Sequence, residues 1–224
     1  PVGRGEAGGY VAAHMSTPFP KLRRGLVAIL RGVTPGEVEA IGHAVHAAGI
    51  EAIEVPLNSP DPFVSIAKLA KALPAALVGA GTVLTGQEVD QLHDAGGRLL
   101  VSPNIDAAVM QRASHFGMVA MPGVFTPSEA FAALKLGASA LKFFPASVLG
   151  AAGINAIRAV LPADAATGAV GGVSDKSFAD YAKAGVRVFG LGSSLYAPGS
   201  TISDVSVRAA AAVKAWDAVF GEGG

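Results

Sequence analysis

A single (β/α)8 TIM barrel, in the α/β class, is the fold this chain predicts, and three observations predict it. From about Leu22 onward, short apolar runs alternate with longer Ala-rich amphipathic stretches. Eight such strand–helix units follow one another at a spacing of roughly 20–28 residues, the rhythm of a β–α array rather than of a sequence repeat. Polar residues and glycines gather at the C-terminal ends of the apolar runs, where a barrel of this kind builds its active site. A doubly wound open sheet is the runner-up. It lacks its usual mark, because the first run continues as Arg31-Gly-Val-Thr-Pro35 and not as a Gly-x-Gly-x-x-Gly turn.

The elements follow in order. Leu26–Leu30 is a first buried strand, and Pro35–Ala48 carries Val38, Ile41 and Val45 at helical spacing before ending at Gly49. Ala52–Pro56 and Ala76–Ala80 are the next two strands. Thr85–Ala95 is a helix that stops at Gly96-Gly97, and Arg98–Ser102 and Met118–Met121 are strands. Thr126-Pro127-Ser128-Glu129 is the signature of a helix start, and that helix ends at Gly137. Ala140–Phe144 and Ala165–Val170 are strands, Ser174-Asp175 opens a helix that ends at Gly185, and Val186–Leu191 is the last strand. Val213, Trp216 and Phe220 share one face of the final helix and read as packing. With no linker or shift of composition between Leu22 and Phe220, the chain reads as one domain over 15–224. Residues 1–14 are Gly- and Ala-rich without periodicity and read as a vector-encoded leader, with Met15 as the native start.

Composition narrows the function. Of 224 residues, 51% are hydrophobic and 15% charged, enough to build a large core without any staple. A net charge of +0 leaves no clustered basic excess for nucleic acid. The absence of cysteine rules out disulfides, thiolate catalysis and cysteine-ligated metal, and suits a reducing cytoplasm. No apolar stretch approaches the roughly 20 residues of a membrane span. The five histidines, His14, His43, His46, His93 and His115, fall in the leader or on helices away from the strand ends. His43 and His46 are an i, i+3 pair, but no strand-end carboxylate completes a metal site with them, so no metal is expected.

Two charges stand out at strand ends. Lys142 is flanked by Leu141, Phe143 and Phe144, and Glu54 lies in Ile53-Glu-Val-Pro-Leu57. Burying an ammonium favours loss of its proton, and a neutral amine is a nucleophile that forms a Schiff base with a carbonyl. The pair suits covalent carbonyl chemistry with proton transfer, and it equally suits a structural ion pair. The other strand ends offer Arg31, Asn58, Thr82, Ser102-Pro-Asn104, Pro122-Gly123, Gly171-Gly172 and Gly192-Ser193. Glycines after the last two strands match the place where barrels hold a phosphate on bare backbone N–H groups. Turn glycines are the other reading of either motif alone.

Six ordered motifs then carry a resemblance: Val27-Ala-Ile-Leu-Arg-Gly32, Glu51 to Pro60, Gly79-Ala-Gly-Thr-Val-Leu84, Val101-Ser-Pro-Asn104, Leu141-Lys-Phe-Phe-Pro145 and Ala169-Val-Gly-Gly-Val173. In register over nearly the whole chain beyond the leader, they resemble the class I aldolases of 2-keto-3-deoxy-6-phosphogluconate and phosphogalactonate. Pro56-Leu-Asn-Ser-Pro60, and Val170 before the Gly-Gly pair, resemble the phosphogalactonate side of the family. The phosphogluconate epimer, or both, remain alternatives.

The resemblance implies cleavage of a phosphorylated keto-deoxy sugar acid to pyruvate and glyceraldehyde 3-phosphate, without metal or organic cofactor, by a homotrimer. It implies Lys142 as the Schiff-base lysine and Glu54 as the general acid/base. It places Arg31 beside the pyruvyl carboxylate, and Thr82, Asn58, Pro103 and Val170 at the substrate. Gly171, Gly172, Gly192 and Ser193 become the phosphate site. A phosphosugar isomerase or epimerase, or a silent phosphosugar-binding barrel, would use the same residues without a covalent adduct.

Overall fold

The computed structural model describes residues 17–221, so the expected leader, residues 1–14, lies outside the described residues. Nine strand segments and eight α-helices alternate around a parallel barrel. The strands are β1 (Leu26–Ile29), β2 (Ala52–Pro56), β3 (Leu77–Gly81), β4 (Leu99–Val101), β5 (Val119–Met121), β6 (Gly123–Val124), β7 (Leu141–Phe143), β8 (Thr167–Val170) and β9 (Val188–Leu191). The helices are α1 (Val38–Ala47), α2 (Pro62–Ala72), α3 (Gly86–Asp94), α4 (Ala107–His115), α5 (Pro127–Lys135), α6 (Ala146–Arg158), α7 (Phe178–Lys183) and α8 (Ile202–Phe220).

The sequence predicts eight strands, and the structure contains eight staves, of which the fifth is split. Pro122 stands between β5 and β6; having no N–H, it cannot continue the ladder. The first half of this stave pairs with β4 and the second with β7, so the split stave closes the circle. All neighbouring strands are parallel, with β1 bonded to β2 on one side and β9 on the other. A second difference is local. Helix α1 begins at Val38, not Pro35, because Thr34 and Glu37 form a turn in front of it. The Thr34 N–H donates to Glu37 Oε1 at 3.0 Å, and the Val38 N–H to the Thr34 carbonyl at 3.1 Å.

Two apolar layers follow from the alternation of side chains along each strand. Val27, Ala52, Leu99, Val101, Val119, Met121, Ala140 and Val188 fill the barrel interior. Ala28, Ile53, Val55, Leu141, Phe143 and Phe189 belong to the larger core between strands and helices. By the same alternation Glu54 follows Ala52, and Lys142 follows Ala140, on the inward face of β2 and β7. The interior is thus apolar at the N-terminal end of the strands and acquires charge near the C-terminal end.

Candidate active site

Lys142 and Glu54 are both buried, at 6% and 2% exposure, in a barrel whose interior is otherwise apolar. Lys142 Nζ donates to the Ser102 carbonyl at 3.2 Å, across the split stave, and lies 4.6 Å from the Phe144 ring centroid. Burial pulls the Lys142 pKa from 10.5 down to about 8, against the attraction of the Glu54 charge and with help from Arg31. Burial pushes Glu54 from 4.5 up to about 7, against the pull of Lys142 and Arg31. Desolvation dominates in both groups and moves both toward neutrality, so each can gain and lose a proton near neutral pH.

Glycine makes the space for the carboxyl. A Cβ on Gly81 would stand 2.2 Å from Glu54 Oε2, so no larger residue fits there without displacing the acid. Oε2 is buried and has no hydrogen-bond partner among the described residues. Lys142, Arg31 and the Gly81 N–H ease the charged form of this carboxyl, but together they do not offset its burial.

Beside the pair lies a cavity of about 310 Å³, bounded by Arg31, Phe144, Val170, Gly171, Gly172, Gly192 and Ser193 among others. Gly171 and Gly172 have φ of +91° and +73°, a left-handed pair that only glycine adopts without strain and that can turn successive N–H groups to one side. Around Gly192 there is open space, since nothing lies within 4 Å of a Cβ built there. The Ser194 hydroxyl donates to the Val173 carbonyl at 3.0 Å and ties the loops after β8 and β9 together. Larger hollows of about 640 and 580 Å³ lie at the N-terminal mouth of the barrel and between α2 and α3. The first has the Arg24–Asp217 ion pair close by, but that pair is satisfied in its charged form, and neither hollow has beside it a pair shifted toward neutrality, so chemistry outweighs size here.

The remaining expected residues lie at different removes from this cavity. Val170 is buried and forms a wall of the cavity. Arg31 lines that cavity with the glycine loops, and its Nη1 donates to Asn58 Oδ1 at 2.6 Å. Asn58 therefore reaches the site through Arg31. Thr82 follows β3 directly, with φ +58°, a strained value for a β-branched residue. Pro103 is half-buried after β4, and a Cβ on Gly123 would meet its carbonyl oxygen at 2.2 Å. The Ser102 carbonyl, Gly81 and the Phe144 ring were absent from the sequence-derived set. Backbone carbonyls carry no sequence signal. Gly81, by contrast, sits two residues after Gly79 on the inward face, a spacing that marks an emptied interior position.

A family model described as "Aldolase: KDPG and KHG aldolase" matches residues 21–213. The chain is 60% identical over 205 residues to "Probable 2-dehydro-3-deoxy-6-phosphogalactonate aldolase" of Rhizobium meliloti (strain 1021), covering 91% of this chain and 97% of that protein. It is 48% identical to "2-dehydro-3-deoxy-6-phosphogalactonate aldolase" of Escherichia coli (strain K12), covering 85% of this chain and 94% of that protein. A solved structure described as "Native KDPGal structure" superposes with a TM-score of 0.85 at 47% identity, covering 87% of this chain and 95% of that one.

Proposed function

The chain belongs to the KDPG and KHG aldolase family and is a carbon–carbon lyase; on that premise we propose that it cleaves 2-dehydro-3-deoxy-6-phosphogalactonate to pyruvate and glyceraldehyde 3-phosphate through a Schiff base on Lys142. The observation that carries the reading is the buried Lys142–Glu54 pair, each group shifted toward its neutral form, beside a cavity with a glycine nest. The names of the two curated relatives support the galactonate epimer. So does Val170, which offers no hydrogen bond to a sugar hydroxyl at the cavity wall.

Neutral Lys142 adds to the C2 ketone, and the carbinolamine hydroxyl takes the proton of the Glu54 carboxylic acid and leaves as water, giving a cationic iminium and the Glu54 carboxylate. The C4 hydroxyl gives its proton to the Glu54 carboxylate, the C3–C4 electron pair moves toward the iminium, and glyceraldehyde 3-phosphate departs. Glu54 returns the proton to C3 of the enamine, and water releases pyruvate. One carboxyl serves each step because its protonation alternates. Gly171, Gly172, Gly192 and Ser193 hold the phosphate. Arg31 lies where it can meet an anionic end of the substrate, paired to Asn58, and charge-assisted bonds there orient the reacting carbons. Thr82 and Pro103 complete the substrate's surroundings.

We further read the active form as a homotrimer. Phe125, Phe131 and Val148, on and beside α5 and α6, are large apolar side chains at 37%, 47% and 72% exposure, and a subunit contact at this face would cover them. A substrate bearing a phosphate stays in the compartment where it is made, which supports the cytoplasm.

The test is incubation with pyruvate and sodium borohydride, followed by intact mass and peptide mapping. A reduced pyruvate adduct on Lys142, absent in Lys142→Ala together with all turnover, is the expected result. A folded, substrate-binding protein with no adduct would instead indicate an isomerase or a binding protein. Turnover of the galactonate and gluconate epimers, compared directly, decides the substrate.

A further inference from the structure

We propose that Phe144 is a further catalytic residue, its ring face holding the positive charge that the Schiff base carries at Lys142 Nζ. This rests on Lys142 as the Schiff-base nitrogen. Nζ lies over the Phe144 ring, 4.6 Å from the centroid, and its hydrogen-bond acceptor is the Ser102 carbonyl. Both of these neighbours present negative potential without a net charge; the Glu54 carboxylate attracts the nitrogen as well, but forms no salt bridge with it among the described residues.

The reaction makes opposite demands on this nitrogen. It attacks as a neutral amine, and it must then be a cation, because only the protonated imine draws the C3–C4 electron pair. Burial serves the first demand. A carboxylate in contact with Nζ would serve the second at the expense of the first, since it would hold the amine protonated. An aromatic face attracts a cation more weakly, and most effectively where water is excluded, so it supports the iminium without locking the ammonium. Charge is conserved through the step: the iminium carries one positive charge after water leaves, and the pair from C3–C4 neutralises it to the enamine.

The ring is placed for this contact. Phe143 faces outward into the strand–helix core, and Phe144, one residue later, comes to the inward side at the mouth. Gly171 makes the room. A Cβ there would stand 3.2 Å from Phe144 Cδ2 and 3.3 Å from Cε2, tighter than ordinary packing.

The experiment replaces Phe144 with mono-, di- and trifluorinated phenylalanine, which keep the ring's shape while draining its face of electron density. Each protein is mixed with pyruvate at pH 9, above the lowered Lys142 pKa, where the amine is largely neutral and the ring acts mainly on the iminium. The fraction trapped by a borohydride pulse is then weighed. The expected result is a stepwise fall with each fluorine, about tenfold across the series. A flat series, with loss of trapping only in Phe144→Leu, would reduce the ring to packing and overturn the proposal. No trapping in the unsubstituted protein would remove the Schiff-base reading beneath it, an outcome distinct from a flat series.

Discussion

At the residue scale, the site is decided by what surrounds two ionisable groups. Glu54 keeps its place because position 81 has no side chain. Gly81→Ala would push the carboxyl away from the reacting carbons, and a displacement of about 1 Å costs on the order of a hundredfold in rate. We expect kcat to fall by about that factor with the far-ultraviolet circular dichroism unchanged; unaltered kcat would mean that the acid tolerates displacement. Titration of the pair sets the pH dependence. The Glu54 pKa is raised, so the stability tied to its protonated form is present below pH 4.5 and is lost as pH rises through about 7. The Lys142 pKa is lowered, so the stability tied to its neutral form is present above pH 10.5 and is lost as pH falls through about 8. Around neutral pH the fold carries both costs. Glu54→Gln combined with Lys142→Met is therefore expected to be inactive and more stable at pH 7.5, by about 1–4 kcal/mol in urea unfolding. A less stable double variant would show that the pair holds the barrel together. In the parent protein, kcat/KM is expected to be bell-shaped with its maximum between about 7 and 8, where the pair holds one shared proton, and to fall on either side as the pair gains a second proton or loses the last.

At the element scale, the apolar runs were recognisable as strands, but their two faces were not. Strands of a covered parallel barrel are buried on both sides and read as continuous apolar runs, so inward and outward residues look alike. Only where Glu54 and Lys142 interrupt the runs does the alternation become visible. Helix starts were clearer. Thr85 and Thr126 each accept a hydrogen bond from the backbone N–H of a glutamate three residues on, Glu88 and Glu129, whose side chains bond back. Thr126→Ala is expected to cost about 1 kcal/mol, a fall in Tm of roughly 2–4 °C, and to leave kinetics untouched. Any loss of kcat in this variant would mean that α5 positions the site. The split of the fifth stave at Pro122 was written in the sequence as a proline after Met121. Its consequence, one stave shared between two neighbours, depends on closure of the sheet.

At the scale of the whole molecule, closure brings together residues that lie far apart in the chain. Lys142 meets the Ser102 carbonyl from forty positions away, and Arg31 meets Asn58 from twenty-seven. The bidentate Arg24–Asp217 pair, at 2.7 Å on both bonds, fastens the entry to β1 against α8. The exposed apolar residues on α5 and α6 belong to this scale too. If the homotrimer proposed above forms through this face, Phe131→Glu is expected to shift the sedimentation mass from three chains toward one, while leaving pyruvate trapping at Lys142 in place. A trimer that survives this change would put the interface on another face.

By itself the sequence determined the β–α rhythm, the helix starts, the identity of the two buried ionisable residues and the glycine loops after the last two strands. Each of these is local chemistry: periodicity, capping, a charge set in an apolar run, a backbone freed of side chains. The tertiary structure alone decided that Arg31 borders the cavity of the glycine loops, that Gly81 yields its space to Glu54, and that Lys142 rests between a carbonyl and a ring. Those relations arise between separate staves, and their distances exist only once the barrel has closed.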